Sequence, residues 1–138
     1  MADPDLVALK LVFAADVISG AYAAAAAACG LTSQQAQVLT AIAPGAPRRV
    51  RDLAAELTCD PGNLSGVLDR LEEAGLVERR ASPVDKRVRL IGLTPDGEAR
   101  RARLEAEARA HAVHRRLAEL PAEERATLMA LLARVTGP

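Results

Sequence analysis

The sequence predicts a mainly α-helical chain with one small β-hairpin, and three observations carry that prediction. Half of the 138 residues are apolar, yet there is no Trp, one Tyr and one Phe, so the core has to be built from Leu, Val and Ala. Ala is the strongest helix former, which biases such a composition toward helix. Leu53, Ala54 and Leu57, then Leu64, Val67, Leu68 and Leu71, recur at helical spacing. Between Leu76 and Leu93 that period gives way to two short stretches of partial alternation around a charged turn. The length suits one domain spanning residues 1–138, with material enough for a real apolar core.

Six helices and one hairpin are expected, in the following order. Residues 5–28 form a long alanine-rich helix that stops at Gly30, where a left-handed cap would sit. Thr32-Ser33-Gln34-Gln35 fits a capping box and opens a second helix running to about Ala43. Pro44-Gly45-Ala46-Pro47 breaks it, and Arg51 to Leu57 makes a short third helix. Asp60-Pro61 is the clearest start signal, an N-cap carboxylate followed by proline at the first helical position. The fourth helix that follows stops at Gly75. Leu76 to Arg80 and Arg87 to Leu93 are the strands, with Ala81 to Lys86 as their turn. Val88 and Leu90 share one face of the second strand, Arg87 and Arg89 the other. Thr94-Pro95-Asp96 repeats the cap-then-proline pattern and opens a long helix to about Glu119. Pro121-Ala122-Glu123-Glu124 opens the last one, its acids suited to the positive end of the helix dipole.

Short helix, tight connection, second helix, hairpin: that order is a winged helix-turn-helix. The fourth helix divides its faces accordingly. Leu64, Val67, Leu68 and Leu71 account for the inward stripe, and Pro61, Gly62, Asn63, Ser65, Gly66, Asp69 and Arg70 are left on the other side. Asn and Ser can hydrogen-bond base edges in a major groove, and Arg70 can reach bases or phosphates. Asp69 and Arg70 could equally form local surface ion pairs, which are worth little. Gly66 costs about 1 kcal/mol relative to Ala in a helix interior. Either the helix backbone approaches another surface there, a groove wall or a neighbouring helix, or the cost is simply tolerated.

Charge points the same way by placement rather than by total. Lys+Arg and Asp+Glu are both 18, but residues 48–103 carry 12 basic and 10 acidic side chains. Within 79–89, Arg79, Arg80, Lys86, Arg87 and Arg89 face Asp85 alone. An arginine at a wing tip can enter a narrow A·T-rich minor groove, where negative potential concentrates. Asp85 could orient the Arg87 guanidinium by a charge-assisted hydrogen bond, while Lys86 and Arg89 add local charge. A solvated charged turn would have the same composition.

Other classes fare worse. Cys29 and Cys59 are too few for a disulfide framework and read as buried or free thiols of a reducing compartment, with a redox-sensing thiol as the alternative. His111 and His114 have no nearby thiol, so neither a metal nor another cofactor is expected. They sit among Arg109, Arg115 and Arg116 without a partnering nucleophile, so no enzyme is expected either. Ala27-Ala28-Cys29-Gly30 superficially resembles a lipoprotein cleavage site. Asp3 and Asp5 against a single Lys10 are wrong for an export signal, however, and Asp16 interrupts the apolar stretch. No run is expected to span a bilayer, and a cytoplasmic protein with no membrane partner follows.

Residues 53–97 closely resemble the MarR (multiple antibiotic resistance regulator) family. The likeness rests on Leu53-Ala54-Ala55-Glu56-Leu57 and on the run from Leu68 to Arg79, LDRLEEAGLVER. It continues through Asp85-Lys86-Arg87-Val88-Arg89-Leu90 and Leu93-Thr94-Pro95-Asp96-Gly97. Each piece alone is weak; the ordered set at these spacings is specific, and the flanking helices agree. The resemblance implies a homodimeric transcription factor, usually a repressor, on a pseudo-palindromic operator in double-stranded DNA. Residues of about 33–97 would be the DNA-binding lobe, and about 1–30 and 100–138 the dimerisation helices. Asp60 through Arg70 would lie on the recognition helix, with Asp85 and Arg87 as the wing's carboxylate and minor-groove arginine. Many relatives carry a basic residue where this chain has Gly66, which implies base readout that is either poorer or differently placed.

Dimerisation also has an argument from the residues. Leu6, Leu9, Val12, Phe13 and Val17 at one end, and Leu128, Leu131, Leu132 and Val135 at the other, exceed what one small winged domain covers. They merge into a shared interface, or else pack within one subunit. Many members of the family respond to small phenolic or aromatic ligands. Phe13 and Tyr22, the only aromatics, serve as pocket walls for such an effector or as core and interface filler. The rival reading is a winged helix used as an architectural or protein-interaction module that binds DNA without sequence preference.

Overall fold

The computed structural model describes residues 3–137. Among them are seven helices and three strands, where the sequence led us to expect six helices and two strands. In chain order they are α1 (Pro4–Ala28), α2 (Ser33–Ala41), β1 (Arg48–Arg49), α3 (Val50–Glu56), α4 (Pro61–Glu73), β2 (Val77–Ala81), β3 (Arg89–Leu93), α5 (Pro95–Ala110), α6 (Ala112–Glu119) and α7 (Ala122–Thr136). Two compact units result: Tyr22–Glu107, and the chain up to Ala21 together with the chain from Ala108.

The Tyr22–Glu107 unit holds an aliphatic core. Val38, Leu39, Ile42, Leu53, Leu64, Leu68, Leu71, Leu76, Val77 and Ile91 are almost completely buried. The capping box at α2 forms as its sequence predicts: Thr32 Oγ1 accepts from Gln35 N at 3.1 Å, and Gln35 Oε1 from Thr32 N at 3.0 Å. The sheet order is β1-β3-β2, all antiparallel, with Arg48 opposite Ile91 and Val77 opposite Leu93. β1 was not expected, because two arginines after a proline carry no strand signal of their own. It exists through its partner, β3, and through Arg48, whose guanidinium bridges the Ala41 carbonyl and the Glu56 carboxylate.

Where α5 begins, Thr94 Oγ1 accepts from Gly97 N at 3.0 Å and donates to the Gly75 carbonyl at 2.5 Å. Gly97 allows that closeness: a Cβ there would overlap the Leu76 carbonyl oxygen and stand 2.9 Å from its carbon. Farther along α5, Arg100 and Arg103 donate to the carbonyls of Cys29 and Ala28, at 2.8 and 2.7 Å. Cations there also complement the negative end of the α1 dipole.

The expected single helix from Pro95 to Glu119 is two. His111 leaves the helical conformation (φ −69°, ψ 144°) and caps α6, its Nδ1 accepting from Val113 N at 3.3 Å. No proline or glycine marks this break; a side-chain acceptor replaces the helical hydrogen bond.

The other unit keeps its apolar side chains at the surface. Leu6, Leu9, Val12, Phe13 and Val17 on α1, and Leu128, Met129, Leu131 and Val135 on α7, are exposed, while Leu132 is half-buried. α6 and α7 have no buried residue. This corrects one expectation from sequence: α1, at 25 residues with a mean hydropathy of 1.7 over its most apolar stretch, is long and apolar enough to cross a membrane. Asp16 interrupts the run of apolar letters without interrupting the helix, and alanine raises hydropathy while adding little side-chain bulk. Length and composition alone do not separate a membrane span from a helix that packs on protein.

Candidate nucleic-acid interface

α4 presents the two faces its sequence implies. Leu64, Val67, Leu68 and Leu71 are buried, and Pro61, Gly62, Asn63, Ser65, Gly66, Asp69 and Arg70 are exposed. Among the described residues, no heavy atom beyond its chain neighbours and its own helix's backbone lies within 4 Å of where a Cβ on Gly66 would sit, so no neighbouring helix among them explains this glycine. Its backbone faces open space in the middle of the polar face.

The start of α4 differs from expectation in one respect. Asp60 occupies the N-cap position with extended backbone, but its side chain makes no cap hydrogen bond. Its Oδ2 stands 3.0 Å from where Gly62 would carry a Cβ, beside the helix rather than over its first N–H groups. Asp60 therefore contributes charge near the positive helix end and not a hydrogen bond. The turn before it holds Thr58 at φ 47°, left-handed backbone that a β-branched residue seldom adopts.

The wing tip is built by short-range hydrogen bonds. Ser82 Oγ accepts from Val84 N at 3.3 Å and Asp85 N at 3.4 Å, while Ser82 N donates to the Val88 carbonyl at 2.9 Å. Asp85 Oδ1 accepts from Arg87 N at 3.0 Å and from Arg87 Nε at 3.3 Å. Arg87 lies in the turn just before β3, its side chain 91% exposed. One carboxylate thus holds both the backbone and the guanidinium of an otherwise free arginine. Pre-orientation of that kind lowers the ordering cost of a later contact.

The cations of this region divide into paired and unpaired sets. Arg79 Nη2 meets Asp69 at 2.7 Å and its Nη1 meets Glu72 at 3.0 Å; Arg80 pairs with Glu78. The hydrogen bond to Asp69 raises the Arg79 pKa above the ordinary arginine value, with burial acting the other way and the Glu72 charge adding to the rise. Among the described residues no carboxylate lies within ion-pair distance of Arg70, Lys86 or Arg89, all exposed. The five basic side chains of 79–89 are therefore not five equal cations. Asp69, read from the sequence either as facing a duplex or as part of a local surface ion pair, is held by Arg79 of β2. Sequence reading missed Arg79 and Glu72 as partners, although Asp69 and Glu72 at i and i+3 share a helix face and could have pointed to a shared cation.

A cavity of about 250 Å³ opens beside the start of α4, lined by Gln34, Gln37, Thr58, Cys59, Asp60 and Asn63 among others. Cys59 is partly exposed, its Sγ donating to the Asp60 carbonyl at 3.5 Å, whereas Cys29 is buried. Phe13 and Tyr22 are both more than half exposed and do not line this cavity.

The chain is similar to known proteins in sequence and in fold. The model of the MarR family matches residues 30–88. The HTH-type transcriptional regulator MgrA of Staphylococcus aureus is 38% identical over 74 residues, which cover 54% of this chain and 50% of MgrA. The chain thus spans half the length of that relative. YdgJ of Bacillus subtilis strain 168, an uncharacterized HTH-type transcriptional regulator, is 30% identical over 109 residues, 79% of this chain and 66% of YdgJ. Among solved structures, CouR from Rhodococcus jostii RHA1 bound to p-coumaroyl-CoA superposes with a TM-score of 0.81 at 29% identity, covering 96% of this chain and 92% of CouR. The transcriptional repressor CouR bound to a 23-mer DNA duplex superposes with a TM-score of 0.77 at 27% identity, covering 96% and 94%. These relatives are transcriptional regulators, not enzymes. With the ordered motifs of residues 53–97, the three-stranded winged lobe and these likenesses in agreement, the chain belongs to the MarR family of transcriptional regulators.

Proposed function

We propose that this chain is a homodimeric, sequence-specific DNA-binding regulator of the cytoplasm, a repressor that lets go of its operator when a small aromatic ligand binds. One observation carries the DNA reading. A fully presented arginine on a built wing tip belongs to the same compact unit as a helix whose polar face is open to solvent. In this reading Asn63 and Ser65 read base edges in a major groove, and Gly66 lets the helix backbone come close. Arg87 enters the adjoining minor groove, with Arg70, Lys86 and Arg89 on phosphates.

The homodimer is supported by the apolar side chains left exposed on α1 and α7, from Leu6 to Val17 and from Leu128 to Val135. A second copy is the cover proposed for them, and the same cover accounts for the hydropathy of α1 without a membrane. Residues of about 1–30 and 100–138 then serve dimerisation, and about 33–97 form the reading lobe. Two copies related by a twofold axis would place their recognition helices about 34–36 Å apart on a pseudo-palindromic site. The ligand reading is supported by CouR, which is bound to p-coumaroyl-CoA, and takes Phe13 and Tyr22 as the aromatic side chains on offer.

The test is a binding selection over random duplexes, read by sequencing, with sedimentation of the free protein alongside. A preferred inverted-repeat site bound about a thousandfold or more tighter than random DNA at physiological salt is expected, together with a dimer. Equal affinity for all duplexes with a steep salt slope would make the chain a non-specific module instead. A monomer at micromolar concentration would remove the twofold arrangement.

A further inference from the structure

β2 is held to the lobe unevenly. β2 is paired with β3 along all five of its residues, but only Val77 at its start is buried; Glu78 through Ala81 are exposed, so past Val77 the strand has no apolar anchor of its own. The backbone enters it from α4 through Gly75 at φ 74°, a tight turn in which Leu76 N donates to the Leu71 carbonyl at 2.9 Å. Past that turn, the side-chain hydrogen bonds between β2 and α4 among the described residues are the two made by Arg79. Its planar fork spans Asp69 and Glu72, three residues apart on one face of the helix, at 2.7 and 3.0 Å. Two simultaneous bonds from a rigid guanidinium fix an orientation that a single point charge would leave free.

We propose that Arg79 is a positioning residue for DNA binding: by clamping Asp69 and Glu72 it sets the spacing between the recognition helix and the wing, so that both grooves are engaged together. This rests on the DNA-binding reading above. It removes Asp69 from the readers and Arg79 from the phosphate contacts. The chemistry agrees, since a guanidinium committed to two carboxylates has little to offer a phosphate, and an unpaired Asp69 on the DNA face would repel one.

The experiment uses the full chain and the duplex selected by the wild-type protein, with affinity measured across a salt series. Two variants cut the clamp from opposite sides. Arg79→Met removes the cation; the double variant Asp69→Asn, Glu72→Gln removes both anions and leaves Arg79 free. Positioning by the clamp requires both to lose affinity for the preferred duplex, by tenfold or more, with the slope of log affinity against log salt unchanged. Exchanging the charges of the shorter pair, Arg79→Asp with Asp69→Arg, should recover part of that loss.

A direct phosphate contact by Arg79 makes the opposite forecast. Arg79→Met would then flatten the slope by about 0.9, and freeing Arg79 in the double variant would tighten binding. Either result overturns the proposal, as does full affinity in both variants. If Arg79→Met does not fold, the double variant decides by the sign of its effect. A wild-type protein that selects no duplex defeats the DNA reading itself, and the clamp's role falls with it.

Discussion

Replacing Gly66 with alanine separates folding from recognition at a single methyl group. A helix-interior glycine is about 0.8–1 kcal/mol less favourable than alanine. Part of that difference acts through the freedom glycine gives the unfolded chain. At most positions packing obscures this gain, but among the described residues nothing beyond the helix's own backbone and chain neighbours stands within 4 Å of the Gly66 Cβ position, so no steric penalty offsets it. Gly66→Ala should therefore stabilise the protein by about 0.5–1 kcal/mol. In urea that is a midpoint about 0.3–0.7 M higher at an unchanged slope. Protein concentration has to be held constant, because the stability of the proposed dimer would depend on it. Affinity for the preferred duplex should fall roughly tenfold in the same variant, since in the proposed complex the added methyl would meet the groove wall.

Gly97→Ala is the matched control. Its Cβ would overlap the Leu76 carbonyl, which is backbone and cannot swing aside, so a loss of about 2 kcal/mol or more is expected. If Gly66→Ala destabilises the protein, the face of α4 is covered in solution and its exposure has been misread. If it stabilises the protein and leaves DNA affinity untouched, the helix does not approach a duplex closely at this residue.

Further outcomes follow from the same geometry. Arg87→Ala should weaken binding at A·T-rich flanks while leaving the unfolding free energy in urea within about 0.5 kcal/mol of the wild type, as exposed substitutions usually do; unchanged affinity would take the wing out of the mechanism. Asn63→Ala or Ser65→Ala should relax base preference by about 1–3 kcal/mol at one half-site position, read by repeating the selection. Should both variants select the wild-type site unaltered, α4 is not the reader. Leu131→Asp with Leu9→Asp places charge on exposed apolar faces of α7 and α1. Sedimentation should then report a monomer, with affinity for a full inverted repeat reduced toward that of a half-site.

Much of the lobe was legible because its signals are local. The capping box at Thr32 and Gln35, proline at the start of α4, the stripe of Leu64, Val67, Leu68 and Leu71, and the glycine stops are all set by neighbours within a turn or two. The wing turn was legible for the same reason, as Asp85 and Arg87 are two residues apart and meet directly. Where the reading failed, the cause was non-local or ambiguous. β1 depends on β3, some forty residues later, and Arg48–Arg49 would be plain coil without that partner. At His111 the composition remains helical, and only the geometry of a side-chain cap ends the helix.

From the sequence by itself came the family, the helical class, the polar face of α4 and the charged tip of the wing, because periodicity, caps and turn chemistry act over a few residues. Tertiary structure alone decided which charges are free. Asp69 and Arg79 lie ten positions apart, and until the turn at Gly75 folds β2 back along α4 each is an ordinary surface ion. Once folded, their attraction is satisfied internally, Arg87 is held by Asp85 at the wing tip, and Arg70, Lys86 and Arg89 are left without an ion-pair partner among the described residues.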